Sequence, residues 1–131
     1  MRIYPPIWSI IRKATHSTTL GQYKFEKDDH LMVSQWTLSR NPEWFPDPES
    51  FKPERWLDAP SPPRFSFIPF GAGGRKCVGD QFAMLEATLV LAETIRRAQF
   101  TRCDSFSLKL VPSVTLRPKQ GIRLEIKLRK Q

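Results

Sequence analysis

The most regular pattern in the chain runs over Asp80–Arg97. Phe82, Leu85, Leu89 and Ile95 carry a helical recurrence of apolar positions, and Ala83, Ala87, Val90 and Leu91 widen the face. Arg96 and Arg97 close the segment, where positive charge complements the helix dipole. So wide a face predicts burial between other elements. In the tail the period changes to two. Ile122, Leu124, Ile126 and Leu128 alternate with Arg123, Glu125, Lys127 and Arg129, which predicts a half-buried strand. Residues 108–110 and 114–116 read as further short strands. Toward the other end, residues 7–14 are extended and apolar. Turns at 18–22 and 26–29 leave Tyr23–Phe25 and residues 31–34 as short strands.

Eight of the 12 prolines fall between Pro42 and Pro69, a density that suggests a linker. The aromatics change that picture. Trp44, Phe45, Phe51, Trp56, Phe65 and Phe67 interleave with the prolines, and disordered segments are poor in such residues because they cannot bury them. The stretch therefore reads as a packed, irregular meander. At 131 residues the chain has one domain's length, enough for a core burying roughly two thirds of the unfolded surface. It shows no membrane-span-length apolar run, no signal peptide and no CxxC pair, which fits an intracellular, reducing compartment, cytoplasmic or peripheral to a membrane. The formal charge is +8, from 21 Lys and Arg against 13 Asp and Glu. Basic residues spread along the chain without a nucleic-acid motif favour an acidic protein partner over nucleic acid. His16 and His30 have no companions at ligand spacing and read as surface residues; Cys103, in a polar stretch, reads as a bystander.

The remaining chemistry lies in Phe70-Gly71-Ala72-Gly73-Gly74-Arg75-Lys76-Cys77-Val78-Gly79. A thiol just ahead of a helix, beside Arg75 and Lys76, stands where the dipole and nearby cations favour the thiolate. Thiolates bind soft and borderline metals, haem iron among them. Glycines let backbone pass close to a flat cofactor and leave amides free to point at sulfur. Phosphate-loop frames fail on the letters, since the six-residue frame from Gly71 ends in Lys76 and Gly79 is followed by Asp80. A glycine-rich turn with an inert cysteine is the plainer alternative.

With Phe70, Gly73, Arg75, Cys77 and Gly79 at the spacing F-x-x-G-x-R-x-C-x-G, the stretch resembles the cysteine-ligand loop of the cytochromes P450, the haem-thiolate monooxygenases. Two further stretches carry the same resemblance. The run from Asn41 to Trp56, ending Pro53-Glu54-Arg55-Trp56, is similar to the family's P-E-R-aromatic element. Arg2-Ile3-Tyr4-Pro5-Pro6 is similar to the second half of its E-x-x-R signature. The signature's glutamate would lie three residues before Arg2, ahead of Met1, so the resemblance implies a C-terminal portion of a larger protein. Its fold would be mainly α with small β-sheets, α+β in this portion. Its parts would be residues 1–40 (helix end and β region), 41–69 (meander), 70–79 (ligand loop), 80–98 (helix) and 99–131 (strand tail).

The resemblance implies haem b held by Cys77, with Phe70 packed near the sulfur, Gly73 and Gly79 shaping the loop, and Arg75 and Arg12 pairing with propionates. Arg2 and Arg55 would share a buried ion network with the upstream glutamate. Ser9, Ile10, Ile11, Ser113 and Val114 would line an apolar substrate pocket. The implied reaction inserts one oxygen atom from O₂ into an apolar organic molecule, with electrons from NAD(P)H through a ferredoxin, flavodoxin or reductase. The acid and threonine of the family's distal helix are not in this sequence. A non-catalytic haem-binding module and a structural remnant therefore stand beside the monooxygenase reading. Losing one partner of a buried ion network costs roughly 3 to 5 kcal/mol, against the roughly 5 to 15 kcal/mol that holds a domain, so the chain by itself is expected to be marginal.

Overall fold

The computed structural model describes residues 1–57, 61–103 and 105–130. Residues 58–60 of the predicted meander, and residues 104 and 131 of the predicted tail, lie outside the described residues. The chain divides after Gly71 into two compact units, within the glycine-rich stretch itself.

In the first unit, β1 (Ser9–Lys13) pairs antiparallel with β4 (His30–Ser34), Ile10 opposite Val33 and Arg12 opposite Leu31. Between them β2 (Thr18–Leu20) and β3 (Tyr23–Phe25) form a hairpin. Strand β2 falls where the sequence suggested only a turn. Gly21, at φ +61°, supplies the left-handed residue at the first position of a two-residue loop, so the turn shrinks to Gly21 and Gln22 and Thr18–Leu20 is free to pair. The turn at 26–29 is present, with Asp28 at φ +75° and the Glu26 amide donating to Asp29 Oδ2 at 2.8 Å. A one-turn helix, α1 (Gln35–Leu38), follows, capped by Ser34, whose Oγ accepts from the Thr37 amide.

The proline-rich stretch is irregular apart from a single 3-10 turn over Pro53–Trp56. Phe45, buried, sits against Trp56 and Phe67, whose ring centroids are 5.0 Å apart. Phe51, Trp56 and Phe65 remain exposed, so of the six interleaved aromatics only Phe45 is fully buried.

In the second unit, helix α2 (Asp80–Arg97) matches the span of the apolar pattern and ends one residue before the 80–98 part the resemblance implies, because Ala98 begins the next strand. It runs into β5 (Ala98–Arg102), which pairs antiparallel with β8 (Leu124–Leu128), Phe100 opposite Ile126. β6 (Leu110–Pro112) pairs with β7 (Leu116–Pro118), each starting two residues later than the sequence suggested. Each of these sheets has two strands, so every strand is an edge, where proline is tolerated. The described portion is therefore α+β, with four small antiparallel sheets.

Burial departs from expectation. No residue of α2 is buried, and Phe82, Leu85, Leu89 and Leu91 are each exposed by 60% or more. All five residues of β8, expected half-buried, are exposed. Among the described residues only Phe45 and Ala98 are buried hydrophobics. The chain exposes 10963 Å², whereas a folded monomer of its mass would expose about 7,100 Å². The apolar faces exist as the sequence indicates, but among the described residues of the second unit no layer covers those of α2 and β8. No described helix is long and apolar enough to cross a membrane.

At the end of α2, Glu93 is gripped by Arg96 (2.8 Å) and Arg97, which hold its carboxyl at about 2, below its ordinary 4.5. A depressed carboxyl pKa stabilises the helix above its unfolded value, and that contribution is lost as pH falls through the folded one. The clasp is therefore expected to release between pH 4.5 and 2. Arg96→Gln should move the Glu93 midpoint, followed by carbon NMR, upward toward the ordinary range.

Candidate functional site

In the second unit the loop ahead of α2 is built from backbone. Ala72 is extended, Gly73 turns through φ +71°, and Gly73–Arg75 closes a 3-10 turn, with the Lys76 amide donating to the Gly73 carbonyl at 3.0 Å. Lys76 then leaves helical geometry at φ −58°, ψ 146°. Cys77 and Val78 follow, exposed, and Gly79 caps α2 without a side-chain hydrogen bond. Cys77 thus stands two residues before the cap. The adjacent cations are used differently. Lys76 pairs with Asp80, whose carboxyl is held below its usual range by that bond first, and whose Oδ1 accepts from the Gln81 amide. Arg75 is exposed and has no ion-pair partner among the described residues.

Two observations test whether such a loop suits haem. No cluster of three His, Cys, Asp or Glu occurs among the described residues. A group that brings its own donors, as porphyrin iron does, would need only the Cys77 sulfur from this loop. A Cβ built on Gly73, Gly74 or Gly79 would meet nothing within 4 Å, so the loop's surroundings are open to a flat group, and the residues present fit it.

These glycines separate conformation from space. Gly73→Ala should cost about 1 to 2 kcal/mol through its left-handed φ alone. The Lys76 amide, bonded to Gly73, should then exchange with deuterium about tenfold faster. Gly74→Ala, at an ordinary φ with equal space, should leave that rate unchanged.

In the first unit Phe70 is half-buried. Arg12, on β1, is exposed and donates to the Ile11 carbonyl at 2.9 Å. Ser9 and Ile10 are half-buried and Ile11 is exposed. In the second unit Ser113 and Val114 lie in the turn between β6 and β7, where the Ser113 amide donates to the Thr115 carbonyl and Val114 is exposed.

Arg2 and Arg55 are close enough to affect each other. Arg2 is 5% exposed and lies 5.4 Å from the Phe45 ring centroid. It donates to the Ser39 carbonyl at 2.9 Å and the Ser50 carbonyl at 3.0 Å. Burial lowers its pKa, Arg55 and Arg40 lower it further, and Glu49 opposes them. Arg55 donates to the Pro46 carbonyl at 3.1 Å, yet its Nε is buried without a partner among the described residues.

Sequence reasoning missed Arg40 and Glu49, which pair at 2.7 Å beside Arg2. No motif marks them. The reading of evenly spread charge also changes: the second unit holds twelve of the 21 basic residues and only five of the 13 acidic ones.

A family model described as Cytochrome P450 matches residues 1–126. Curated relatives include Protein LUTEIN DEFICIENT 5, chloroplastic, of Arabidopsis thaliana, 36% identical over 132 residues, which aligns 96% of this chain with 22% of the relative. Cyclooctatin synthase of Streptomyces melanosporofaciens is 37% identical over 126 residues, covering 95% of this chain and 26% of the relative. Among solved structures, retinoic acid bound cyanobacterial CYP120A1 superposes with a TM-score of 0.89 at 30% identity, over 98% of this chain and 30% of that one. The chain spans about a quarter of the length of the curated relatives it matches.

Proposed function

The chain belongs to the cytochrome P450 family, the haem-thiolate monooxygenases, and on that premise we propose that it is the C-terminal, haem-ligating portion of such an enzyme, with Cys77 as the iron ligand. The observation that carries this reading is the glycine loop presenting an exposed Cys77 two residues before the cap of α2, with open space beside Gly73, Gly74 and Gly79. When bound, haem b supplies the chemistry that inserts one oxygen atom from O₂ into an apolar substrate, using electrons that originate in NAD(P)H.

The chain's own residues bind and orient. Cys77 would give anionic sulfur to the metal, and Gly73 and Gly79, having no side chain, would let the backbone pass close to the macrocycle. Arg75 and Arg12 offer guanidiniums to its carboxylates, as charge-assisted pairs stronger than neutral hydrogen bonds. Phe70 keeps water from the sulfur and so lowers the local dielectric. Ser9, Ile10, Ile11, Ser113 and Val114 contribute to an apolar substrate pocket. The meander over 41–69 holds Arg55 toward Arg2, and the glutamate of the upstream portion completes their network. The basic excess of the second unit suits an acidic redox partner, a ferredoxin, flavodoxin or reductase domain.

The test is to mix the chain with haem, reduce it and add carbon monoxide. A strongly red-shifted Soret band is expected from thiolate ligation. An unshifted band would count against Cys77. Hydroxylation of an apolar substrate by this chain alone would overturn the view that catalysis needs the upstream portion. The uncovered face of α2 favours a second reading, in which the chain binds no haem alone; failure to bind haem at all would select it.

A further inference from the structure

Arg40 touches three separate segments with one side chain. Its Nε donates to Glu49 Oε1 at 2.7 Å, its Nη2 donates to the Ile3 carbonyl at 2.7 Å, and its guanidinium carbon lies 3.4 Å from the Trp36 ring centroid. Its Nη1 reaches the Trp36 carbonyl at 3.4 Å. The neighbours of this pair matter most. Ser39 and Ser50, whose carbonyls hold Arg2, are adjacent in sequence to Arg40 and Glu49. The Arg40–Glu49 pair and the Arg2 guanidinium therefore span the same two strands of chain side by side. The Ile3 carbonyl, held by Arg40, belongs to the residue after Arg2.

We propose that Arg40 and Glu49 are the positioning residues of Arg2: their ion pair fixes the separation of the Ser39 and Ser50 carbonyls, and Glu49 supplies the negative charge that makes a buried Arg2 tolerable. The inference is independent of haem, because every contact lies within the first unit. Charge, and not packing alone, is required of Glu49. The Arg40 side chain is 12% exposed and Glu49 70%, so as an isolated surface pair it would contribute little. Its role lies in setting the span that Arg2 occupies. Glu49 also opposes the two cations that act on Arg2.

The test uses the full chain labelled with ¹⁵N-arginine, reading solvent exchange of the Arg2 side chain by NMR. The unsubstituted chain should show slow exchange. Glu49→Gln and Arg40→Lys should each accelerate it by about tenfold or more, the effect of removing a charge-assisted partner. Lysine keeps the charge but cannot hold Glu49, the Ile3 carbonyl and the Trp36 face together. Glu49→Asp should largely restore protection. Lys52→Gln, which breaks the separate pair with Asp47, should leave Arg2 unchanged. Equal loss in Glu49→Gln and Glu49→Asp would reduce the pair to packing and overturn the proposal. So would an Arg2 rate unmoved by Glu49→Gln, or fast exchange in the unsubstituted chain.

Discussion

The isolated chain should unfold in urea along a gradual slope, with no sigmoidal transition, and should bind a hydrophobic dye before any denaturant is added. The expectation follows from α2. Phe82, Leu85, Leu89, Val90, Leu91 and Ile95 are each more than half exposed. Burying such a side chain fully is worth about 1.5 to 3 kcal/mol, so the six together forgo on the order of 5 to 10 kcal/mol. A whole domain is held by a similar amount. The Arg55 Nε, buried without a partner among the described residues, adds to the deficit. Far- and near-ultraviolet circular dichroism should lose coincidence, because α2 lacks fixed packing while the first unit keeps its contacts around Arg2 and Phe45. A single steep transition shared by both signals, from a monomer, would show that the chain covers its apolar faces without help. Adding the remaining part of a related domain should restore cooperativity.

Substitution of Cys77 by serine should abolish the red-shifted carbon monoxide band and weaken haem retention, while Cys103→Ser leaves both intact. Serine replaces an anionic sulfur by a neutral hydroxyl, a poor ligand for this metal at neutral pH. Tight metal–thiolate ligation is worth many multiples of 1.4 kcal/mol, each a factor of ten in affinity, so retention should fall by at least about a hundredfold. Dialysis against apomyoglobin, followed by absorbance, gives the number. Cys103 is half-buried in the other free thiol's unit and serves as the internal control. Were Cys103→Ser the variant that lost the band, the ligand assignment would move with it.

What could be read from sequence divides along physical lines. Helix α2 was legible to within one residue because its period is sustained over five turns and its charges suit its ends. β3 and β4 were legible from short apolar runs between turns. β2 was hidden because Thr18–Leu20 is polar apart from Leu20, and its pairing depends on the left-handed Gly21. α1 is a single turn, too short for any period to register. β5 joins α2 without a break, and Ala98-Gln99-Phe100-Thr101-Arg102 acquires meaning only opposite β8. Burial was misjudged for α2 and β8 because periodicity reveals that a face is apolar but not whether the same chain covers it. At the candidate site, Cys77 and its glycines were visible from spacing. Arg40 and Glu49 were not, since an exposed-looking Glu nine positions after an Arg carries no signal until folding brings both beside Arg2.

The most direct test of the central assignment is iron X-ray absorption on the chain loaded with haem. Cys77 ligation predicts one sulfur among the atoms bonded to iron, lost in Cys77→Ser and kept in Cys103→Ser. Iron surrounded only by nitrogen and oxygen in the unsubstituted, haem-loaded chain would contradict it.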